Sequence, residues 1–342
     1  MSNREPLRVG LIGCGYQGQW LARAAVEVES FQLVAYADPN DVAAATVDAL
    51  FRQAQRAKSA ESLVARDDVD VVFIATPHHL LQPYALQAIA AGKHVLAEKP
   101  MALNAAQAIE LETAVAQSGI TFMAGYSFRY FPPVAQARQL IGDGVIGDIQ
   151  TVSAGMSLPG IPPGWLADPA SGGGMLGFLG CHMVDRVLWM VNDEPVEVMA
   201  SVKYHPEYGV DQTAMFQVRF AQGVIAQFNI CGSSAGWFDF AHFCGQAGHI
   251  YLTLAEFPNY ALTVSSKVSE AYATPQSTRL DLERPVAIQQ KMVAELQEFA
   301  HAILESRQPA ITVVDGRKVL QVLDAVILSG QTGQPVPVWR KQ

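Results

Sequence analysis

The chain has 342 residues, and at about 150 residues per domain this length predicts two domains. Hydrophobic residues make up 50% of it and charged residues 16%, which excludes a disordered chain and supplies side chains for two buried cores. The 32 acidic and 23 basic residues give a net charge of −9, and the sequence has no dense Lys/Arg cluster to offset it. We therefore expect neither nucleic acid nor an anionic membrane surface as a partner.

The sequence also bears on cellular location. The N-terminus lacks the apolar core of a signal peptide, and no uninterrupted apolar run approaches the roughly 20 residues of a transmembrane helix. The four cysteines form no C-x-x-C pair. These features predict a cytoplasmic protein with free thiols and no membrane partner.

In the first third of the chain, short apolar runs alternate with helical stretches. The apolar runs lie at 8–12, 32–37, 71–75, 94–97 and 121–124, and the helical stretches at 17–29, 41–57, 80–91 and 105–117. Continuous apolar strands are typical of a parallel sheet that is covered on both faces. This order predicts a doubly wound α/β domain of the Rossmann type over residues 1–125.

Beyond residue 125 the pattern changes to strands joined by short turns. Strands are predicted at 147–156, 196–202, 212–220, 224–230 and 238–243, and two late helices at 285–305 and 315–328. We therefore expect residues 126–342 to form an α+β domain with a mostly antiparallel sheet. Segment 158–174 contains four Pro and five Gly, which is typical of a binding loop or a flexible link.

A glycine-rich turn, Gly-Cys-Gly-Tyr-Gln-Gly at 13–18, joins the first predicted strand to a helix. Gly13 permits a tight turn, Gly15 lets a pyrophosphate approach the backbone, and Gly18 allows close helix–strand packing. The helix N-terminus offers free N–H groups to phosphates. We therefore assign Gly13, Gly15, Tyr16, Gln17 and Gly18 to a dinucleotide site; the alternative is a turn with a purely structural role.

Asp38 ends the second predicted strand, 20 residues after the last glycine of the turn. This is the offset of an acid that binds the adenosine ribose hydroxyls. A carboxylate at this position repels a 2′-phosphate, so the sequence favours NAD(H) over NADP(H). The alternative is a turn or N-cap role within Asp-Pro-Asn-Asp at 38–41.

Four further segments follow in order along the chain: Asp-Val-Val-Phe-Ile-Ala-Thr-Pro at 70–77, Ala-Gly-Lys-His-Val-Leu-Ala-Glu-Lys-Pro at 91–100, Gly-Tyr-Ser-Phe-Arg-Tyr at 125–130, and Ser-Gly-Gly-Gly-Met-Leu-Gly-Phe-Leu-Gly-Cys-His-Met-Val-Asp at 171–185. With the glycine turn, they resemble the glucose–fructose oxidoreductase/inositol dehydrogenase (Gfo/Idh/MocA) family over nearly the whole chain. The resemblance implies an N-terminal Rossmann domain and a C-terminal α/β domain. The large open sheet of that second domain often builds homodimers or homotetramers.

The resemblance also implies roles for residues near the nicotinamide. Lys99 would lie beside the nicotinamide and the substrate hydroxyl, and Glu98 would help to hold a ribose. Thr76 and Pro77 would end a strand at the cofactor cleft. The family often has a His four residues after this Thr-Pro; here that place is Leu81, although His78 and His79 are close by.

His182 matches the catalytic histidine of the family, but the segment around it departs from the family pattern. The pattern reads Gly-Gly-Gly-x-x-x-Asp-x-Gly-x-His, and an alignment without gaps puts Phe178 at the Asp position. On a continuous helix Phe178 and His182 would share a face. Asp185 is the nearest substitute for the missing carboxylate and Asp168 a weaker one, although Asp185 could equally be a helix-surface charge that pairs with Arg186.

The remaining candidates concern the substrate. Tyr126 and Arg129 suit a polyol or carboxylate pocket, or else a structural aromatic–Arg stack. Trp165 could stack on a sugar ring or anchor its own loop. We assign Tyr126, Arg129, Trp165, Phe178, His182 and Asp185 to substrate binding. The histidines lack any paired metal spacing, so we expect no metal.

These residues predict an NAD(H)-dependent oxidoreductase that transfers hydride between nicotinamide and a sugar, cyclitol or related polyol, with Lys99 and His182 as catalytic residues. One alternative is a redox-neutral enzyme that uses tightly bound NAD for elimination or glycoside cleavage, which Phe178 favours. A second alternative is a non-catalytic NAD-binding sensor or subunit.

Overall fold

The computed structural model describes residues 5–254 and 259–338 and divides the chain into two compact units. The first unit comprises Met1–Ser127 and Ile288–Arg317, and the second comprises Phe128–Ala287 and Lys318–Gln342. The sequence-based boundary at 125/126 thus lies close to the change of unit at Ser127. The return of Ile288–Arg317 to the first unit departs from the expected division into 1–125 and 126–342.

This return has a physical cause in the aromatic core of the first unit. Phe299 packs against Phe31 and Phe73, with both pairs of ring centroids 6.3 Å apart, and all three side chains are buried. The sequence pattern shows that a helix surrounds Phe299, but it does not show which core the helix covers.

The first unit contains a six-stranded parallel sheet in the order β3-β2-β1-β4-β5-β6. Its strands are β1 Leu7–Ile12, β2 Phe31–Ala37, β3 Gln55–Arg56, β4 Val71–Ile74, β5 His94–Glu98 and β6 Phe122–Gly125. Its helices are α1 Tyr16–Val26, α2 Asp41–Leu50, α3 Ala60–Val64, α4 His78–Ala90 and α5 Ala105–Ser118. The doubly wound Rossmann-type sheet is therefore confirmed.

One predicted helix of this unit is too long. Helix 41–57 was expected from its Ala-rich pattern, but α2 ends at Leu50, and Gln55–Arg56 forms the edge strand β3 beside β2. Pairing with the sheet, a contact distant in sequence, overrides the local helix propensity of this segment.

The second unit contains a nine-stranded sheet in the order β14-β13-β12-β11-β7-β10-β9-β8-β15, in which only the β7–β10 pair is parallel among the described strands. The strands are β7 Ile149–Ser157, β8 Pro195–Tyr204, β9 Asp211–Phe220, β10 Ile225–Cys231, β11 Asp239–Gly245, β12 Gly248–Thr253, β13 Asn259–Ser266, β14 Gln276–Asp281 and β15 Val336–Pro337. The predicted large, mostly antiparallel sheet is confirmed.

The helices of the second half are α6 Pro132–Gly142, α7 Cys181–Val191, α8 Arg284–Leu304 and α9 Val313–Thr332. A π-helical turn, Leu176–Gly180, leads directly into α7. The Pro/Gly-rich segment 158–174 contains two short 3-10 turns, Trp165–Ala167 and Pro169–Ser171.

Within the described residues, one helical stretch, Pro169–Val191, is long and apolar enough to cross a membrane. Inside the unit, 67% of its apolar window is buried, as in the core helix of a folded domain.

Candidate active site

The glycine turn has the geometry that its sequence predicts. Gly13 has a φ of 94°, and a Cβ on it would overlap the backbone oxygen of Ala75. A Cβ on Gly18 would overlap the backbone oxygen of Gly13, so this glycine permits the close packing of α1 on β1. Among the described residues, no atom lies within 4 Å of a Cβ built on Gly15, so the backbone there is open to approach.

The N-terminus of α1 fits a phosphate group. Gly15 is its N-cap residue, and within the described part of the chain no side chain caps the first N–H groups of this helix. Tyr16 is 63% exposed beside them. Uncapped N–H groups and an accessible backbone are what a pyrophosphate requires at this position.

Asp38 holds the glycine turn as well as its own turn. Its carboxylate accepts hydrogen bonds from the backbone N–H groups of Cys14 and Asn40, both at 2.7 Å. The N-cap of α2 is Asn40 rather than Asp38, so the alternative N-cap role of Asp38 is wrong and its turn role is present.

Arg56 is a neighbour of Asp38 that the sequence analysis missed, because its segment was assigned to a helix. The Arg56 guanidinium donates to the backbone oxygen of Asp38 at 3.0 Å and to the Asp41 carboxylate at 2.7 Å. The cation beside the Asp38 turn is therefore paired with a carboxylate.

Glu98 is 5% exposed and lies at the end of β5. Its carboxylate accepts hydrogen bonds from the Gln17 side chain at 2.6 Å and from the Lys99 backbone N–H at 3.2 Å. Burial raises the pKa of Glu98, while the neighbouring Lys99 charge and the Gln17 hydrogen bond oppose the rise. The contact joins two residues that the sequence assigned separately to the cofactor.

The cofactor candidates gather at one edge of the parallel sheet. The glycine turn follows β1, Asp38 follows β2, Thr76 and Pro77 follow β4, and Lys99 follows β5. These are the carboxyl ends of neighbouring strands, where doubly wound sheets bind ligands. His78 begins α4 at this edge and is 3% exposed.

In the second unit, His182 lies in the first turn of α7 and is half-buried. Its ring packs edge-to-face against Phe128, with centroids 4.9 Å apart. Phe178 lies in the preceding π-helical turn and packs edge-to-face against Trp165, with centroids 6.3 Å apart. The segment through Phe178 and His182 is a π-helical turn followed by α7 rather than one continuous α-helix, so the expected α-helical spacing between them does not apply directly.

Asp185 is buried rather than on the helix surface, and its charged partner is Arg129 rather than Arg186. The Arg129 guanidinium donates to both carboxylate oxygens of Asp185, at 2.6 and 3.0 Å, and the two side chains are 6% and 2% exposed. The Arg129 guanidinium carbon also lies 5.3 Å from the Trp189 ring centroid. Arg186 pairs with Asp239 at 2.7 Å instead. This favours the structural alternative for Arg129, a stack on an aromatic ring, and contradicts the alternative for Asp185, a helix-surface charge.

The other residues predicted to lie at the substrate differ in how far they are exposed. Tyr126 is 0% exposed, whereas Trp165 and Phe178 are half-buried and present part of their rings to the surroundings. The weaker candidate Asp168 bonds the Ser171 hydroxyl at 2.6 Å and the Ala170 N–H at 3.0 Å, so it organises its own loop.

Asp211, at the start of β9, is a further carboxylate that the sequence analysis missed. It accepts a hydrogen bond of 2.6 Å from the Leu176 N–H, at the beginning of the π-helical turn. Burial raises the pKa of Asp211 to about 6, and its hydrogen bonds from backbone N–H groups oppose the rise. Because Asp211 is 35 residues from Leu176 in sequence, no local sequence pattern predicts this contact.

Metal binding has no candidate in the described part of the chain, where no group of three or more His, Cys, Asp and Glu residues could hold an ion. The four cysteines, all within the described residues, form no disulfide.

Comparison with protein families decides the relationship. The NAD-binding Rossmann domain of the GFO/IDH/MocA oxidoreductases matches residues 7–126, and a C-terminal domain of the same family matches residues 134–251. The chain belongs to the GFO/IDH/MocA family. These oxidoreductases carry the cofactor on the first of the two domains, which agrees with the edge of the parallel sheet described above.

Two curated GFO/IDH/MocA relatives and one solved structure extend this result. A dTDP-3,4-didehydro-2,6-dideoxy-alpha-D-glucose 3-reductase from Actinomadura kijaniata is 27% identical over 95% of this chain and 96% of that protein. A 1,5-anhydro-D-fructose reductase from Ensifer adhaerens is 36% identical over 50% of this chain and 53% of that protein. A levoglucosan dehydrogenase in complex with NADH and levoglucosan has the same fold, with a TM-score of 0.89 at 24% identity over 98% of this chain and all of that one.

The predicted activity is confirmed at this level. The chain is an NAD(H)-dependent oxidoreductase of the GFO/IDH/MocA family that acts on CH–OH groups.

Proposed function

We propose that this oxidoreductase transfers hydride between NAD(H) and a small cyclic sugar of the deoxy or anhydro type. The supporting observation is the aromatic pair Trp165–Phe178, which lies in the segment that leads to His182 and is partly exposed. Aromatic rings pack well against the C–H faces of sugar rings, and a sugar with fewer hydroxyls offers more such surface. Two relatives are named for deoxy and anhydro sugars.

In the direction of oxidation, a hydroxyl proton and a hydride leave the same CH–OH group, which becomes a carbonyl. Bound NAD⁺ supplies the hydride acceptor. Lys99 is proposed to stabilise the developing alkoxide with its ammonium group, and His182 to accept the hydroxyl proton. Glu98 and Gln17, bonded to each other at 2.6 Å, are proposed to orient the nicotinamide-side ribose.

The nicotinamide cofactor is proposed to be NAD(H) rather than NADP(H). The Asp38 carboxylate lies at the adenosine-side turn, where a 2′-phosphate would meet its charge. The nearby cation, Arg56, is already paired with Asp41 at 2.7 Å.

The open face of the nine-stranded sheet is proposed to join two or four copies of the chain. Met199, Met215, Ile225 and Tyr251 project from this face and are 38–49% exposed. Exposed apolar patches of this kind mark interaction surfaces. We also propose a cytoplasmic location, with which four cysteines outside any disulfide agree.

The substrate class is tested by measuring NADH absorbance with the purified chain. We expect 1,5-anhydro-D-fructose with NADH, or levoglucosan with NAD⁺, to give a kcat/KM at least tenfold above that of myo-inositol. Trp165→Ala should lower this kcat/KM about tenfold, whereas Trp237→Ala, which removes a 41% exposed tryptophan stacked on Arg284, should not. Product without net change in NADH would instead indicate redox-neutral chemistry, and cofactor binding alone would indicate a non-catalytic protein.

The role of Lys99 is tested by Lys99→Ala, which should lower kcat by a factor on the order of 10²–10⁴ while NADH binding stays within a few fold. Lys93→Ala is the matched control: Lys93 precedes the same strand β5 at its opposite end, where its ammonium bonds the backbone oxygens of Arg66 and Val69. Equal activity of the two variants would show that Lys99 is structural.

A further inference from the structure

The helical segment that carries His182 begins on a carboxylate from another element. Asp211 lies at the first position of β9, and its Oδ2 accepts the Leu176 N–H at 2.6 Å. The backbone N–H groups of Met175 and of Asp211 itself also stabilise the ionised form of this carboxylate. Leu176 opens the π-helical turn that continues into α7, so Asp211 holds the start of a segment whose seventh residue is His182.

The glycine run before this segment makes the contact feasible. Gly174 has a φ of 107°, and a Cβ on it would overlap the Asp211 carboxylate. A Cβ on Gly173 would overlap the backbone oxygen of Leu166. The glycines at 172–174 thus let the backbone pass close to both the Leu166 backbone oxygen and the Asp211 carboxylate. This role does not involve a phosphate.

The contact suits a carboxylate better than an amide. A carboxylate is an acceptor only, so it can bond several converging N–H groups, whereas an amide would direct its NH₂ group at one of them. Burial raises the pKa of Asp211 to about 6, and no charged side chain of the described residues contributes to this shift. At neutral pH the group is therefore mostly ionised, and the backbone N–H groups are what bind its charge.

We propose that Asp211 is a positioning residue of the active site, whose carboxylate fixes the π-helical turn and the first turn of α7 and so sets the place of His182. This inference rests on the proposed role of His182.

The test compares Asp211→Asn with Asp193→Asn in the full-length chain. Asp193 is a matched control because its carboxylate also accepts two backbone N–H groups, those of Glu194 and Gln222 at 2.7 Å, just beyond the other end of α7. We expect Asp211→Asn to lower kcat about tenfold, with KM within threefold and the Kd for NADH within twofold of the parent. Asp193→Asn should leave all three constants unchanged.

Hydrogen–deuterium exchange supplies a second measurement that does not need a substrate. Amides of peptide 174–182 should exchange at least threefold faster in Asp211→Asn than in the parent, and at the parent rate in Asp193→Asn. Faster exchange with the expected fall in kcat supports the proposal. A folded Asp211→Asn with parental kcat and exchange overturns it, and so does failure of both Asp211→Asn and Asp211→Ser to fold, which would make Asp211 a purely structural residue.

These measurements separate the inference from the proposed function. A parent chain that binds NADH but turns over no sugar would contradict the proposed function, while the exchange of peptide 174–182 would still report whether Asp211 holds the segment.

Discussion

At the scale of single residues, Asp38 combines two tasks in one carboxylate. It holds the glycine turn through the Cys14 N–H, and we propose that it also repels a 2′-phosphate. Removing the carboxylate should therefore weaken the binding of both NAD(H) and NADP(H), because the glycine turn loses a hydrogen bond. It should also relieve the repulsion of the 2′-phosphate, which affects NADP(H) alone. The ratio of the two affinities isolates the second effect.

We expect NADH to bind at least tenfold more tightly than NADPH, a ratio that needs only about 1.4 kcal/mol. Asp38→Ser should bring the ratio close to one, as measured by fluorescence titration. The Arg56 guanidinium, 3.0 Å from the Asp38 backbone oxygen, is already paired with Asp41, so adding Arg56→Ala should change this ratio little. Equal affinities in the parent chain would contradict the assignment.

The raised pKa of Asp211 predicts how stability depends on pH. In the folded chain the Asp211 carboxyl keeps its proton up to a pH of about 6, whereas its ordinary pKa is 3.8. Between these values the folded state binds more protons than the unfolded state, so the contribution of Asp211 to stability is greatest below pH 4 and falls as pH rises through 6. The full fall corresponds to roughly 3 kcal/mol.

Urea unfolding of the parent and of Asp211→Asn at pH 4 and pH 7.5 measures this effect. The free energy of unfolding of the parent, relative to the variant, should be lower at pH 7.5 than at pH 4. A difference between the two proteins that does not change with pH would mean that the Asp211 carboxylate is not desolvated.

At the scale of elements, the ion pair between Arg129 and Asp185 joins the 3-10 turn Ser127–Tyr130 to α7. The same turn places the Phe128 ring against His182. Breaking one partner of a buried pair leaves an uncompensated charge, whereas replacing both by apolar groups does not.

Arg129→Met or Asp185→Leu alone should therefore lower the free energy of unfolding by about 3–5 kcal/mol, and the double variant should lose less than either. Arg219→Met is the control: it breaks a pair with Glu197 in which the side chains are 55% and 41% exposed, and should cost less than about 1 kcal/mol. Additive losses in the double variant, measured by urea unfolding, would argue against a coupled pair.

The elements also show which parts of the secondary structure sequence patterns predict and which they miss. The period of apolar residues predicted the central strands of both sheets and the late helices within a few residues of their ends. It missed the edge strand Gln55–Arg56, since a two-residue strand has no period of its own. It also did not predict the strands β12, β13 and β14 of the second sheet. It also missed the π-helical turn, because glycines and packing rather than apolar spacing set the local winding there.

At the scale of the whole molecule, the open face of the large sheet is expected to bury its apolar side chains in a homo-oligomer. Met215→Asp places a charge on this face and should lower the molar mass measured by light scattering from that of a dimer or tetramer toward that of one chain. Val42→Asp, at a residue of α2 that is 79% exposed, is the control and should leave the mass unchanged. A parent chain that is monomeric at all concentrations would contradict the proposed assembly.

By itself, the sequence determined the two-domain organisation, the parallel sheet with its glycine turn, the mostly antiparallel second sheet and the family. These features rest on local patterns: strand and helix periods, the spacing of three glycines, and short motifs such as Glu98-Lys99-Pro100. Such patterns can be recognised in the sequence because each is formed by residues close together along the chain.

Only the tertiary structure decided which charges meet and which core each late helix covers. Asp211 lies 35 residues from Leu176, and Arg129 lies 56 residues from Asp185. Phe299 completes the aromatic cluster of the first unit from the far end of the chain. Contacts of this kind depend on strand order and helix packing, which bring together residues that no spacing in the sequence relates.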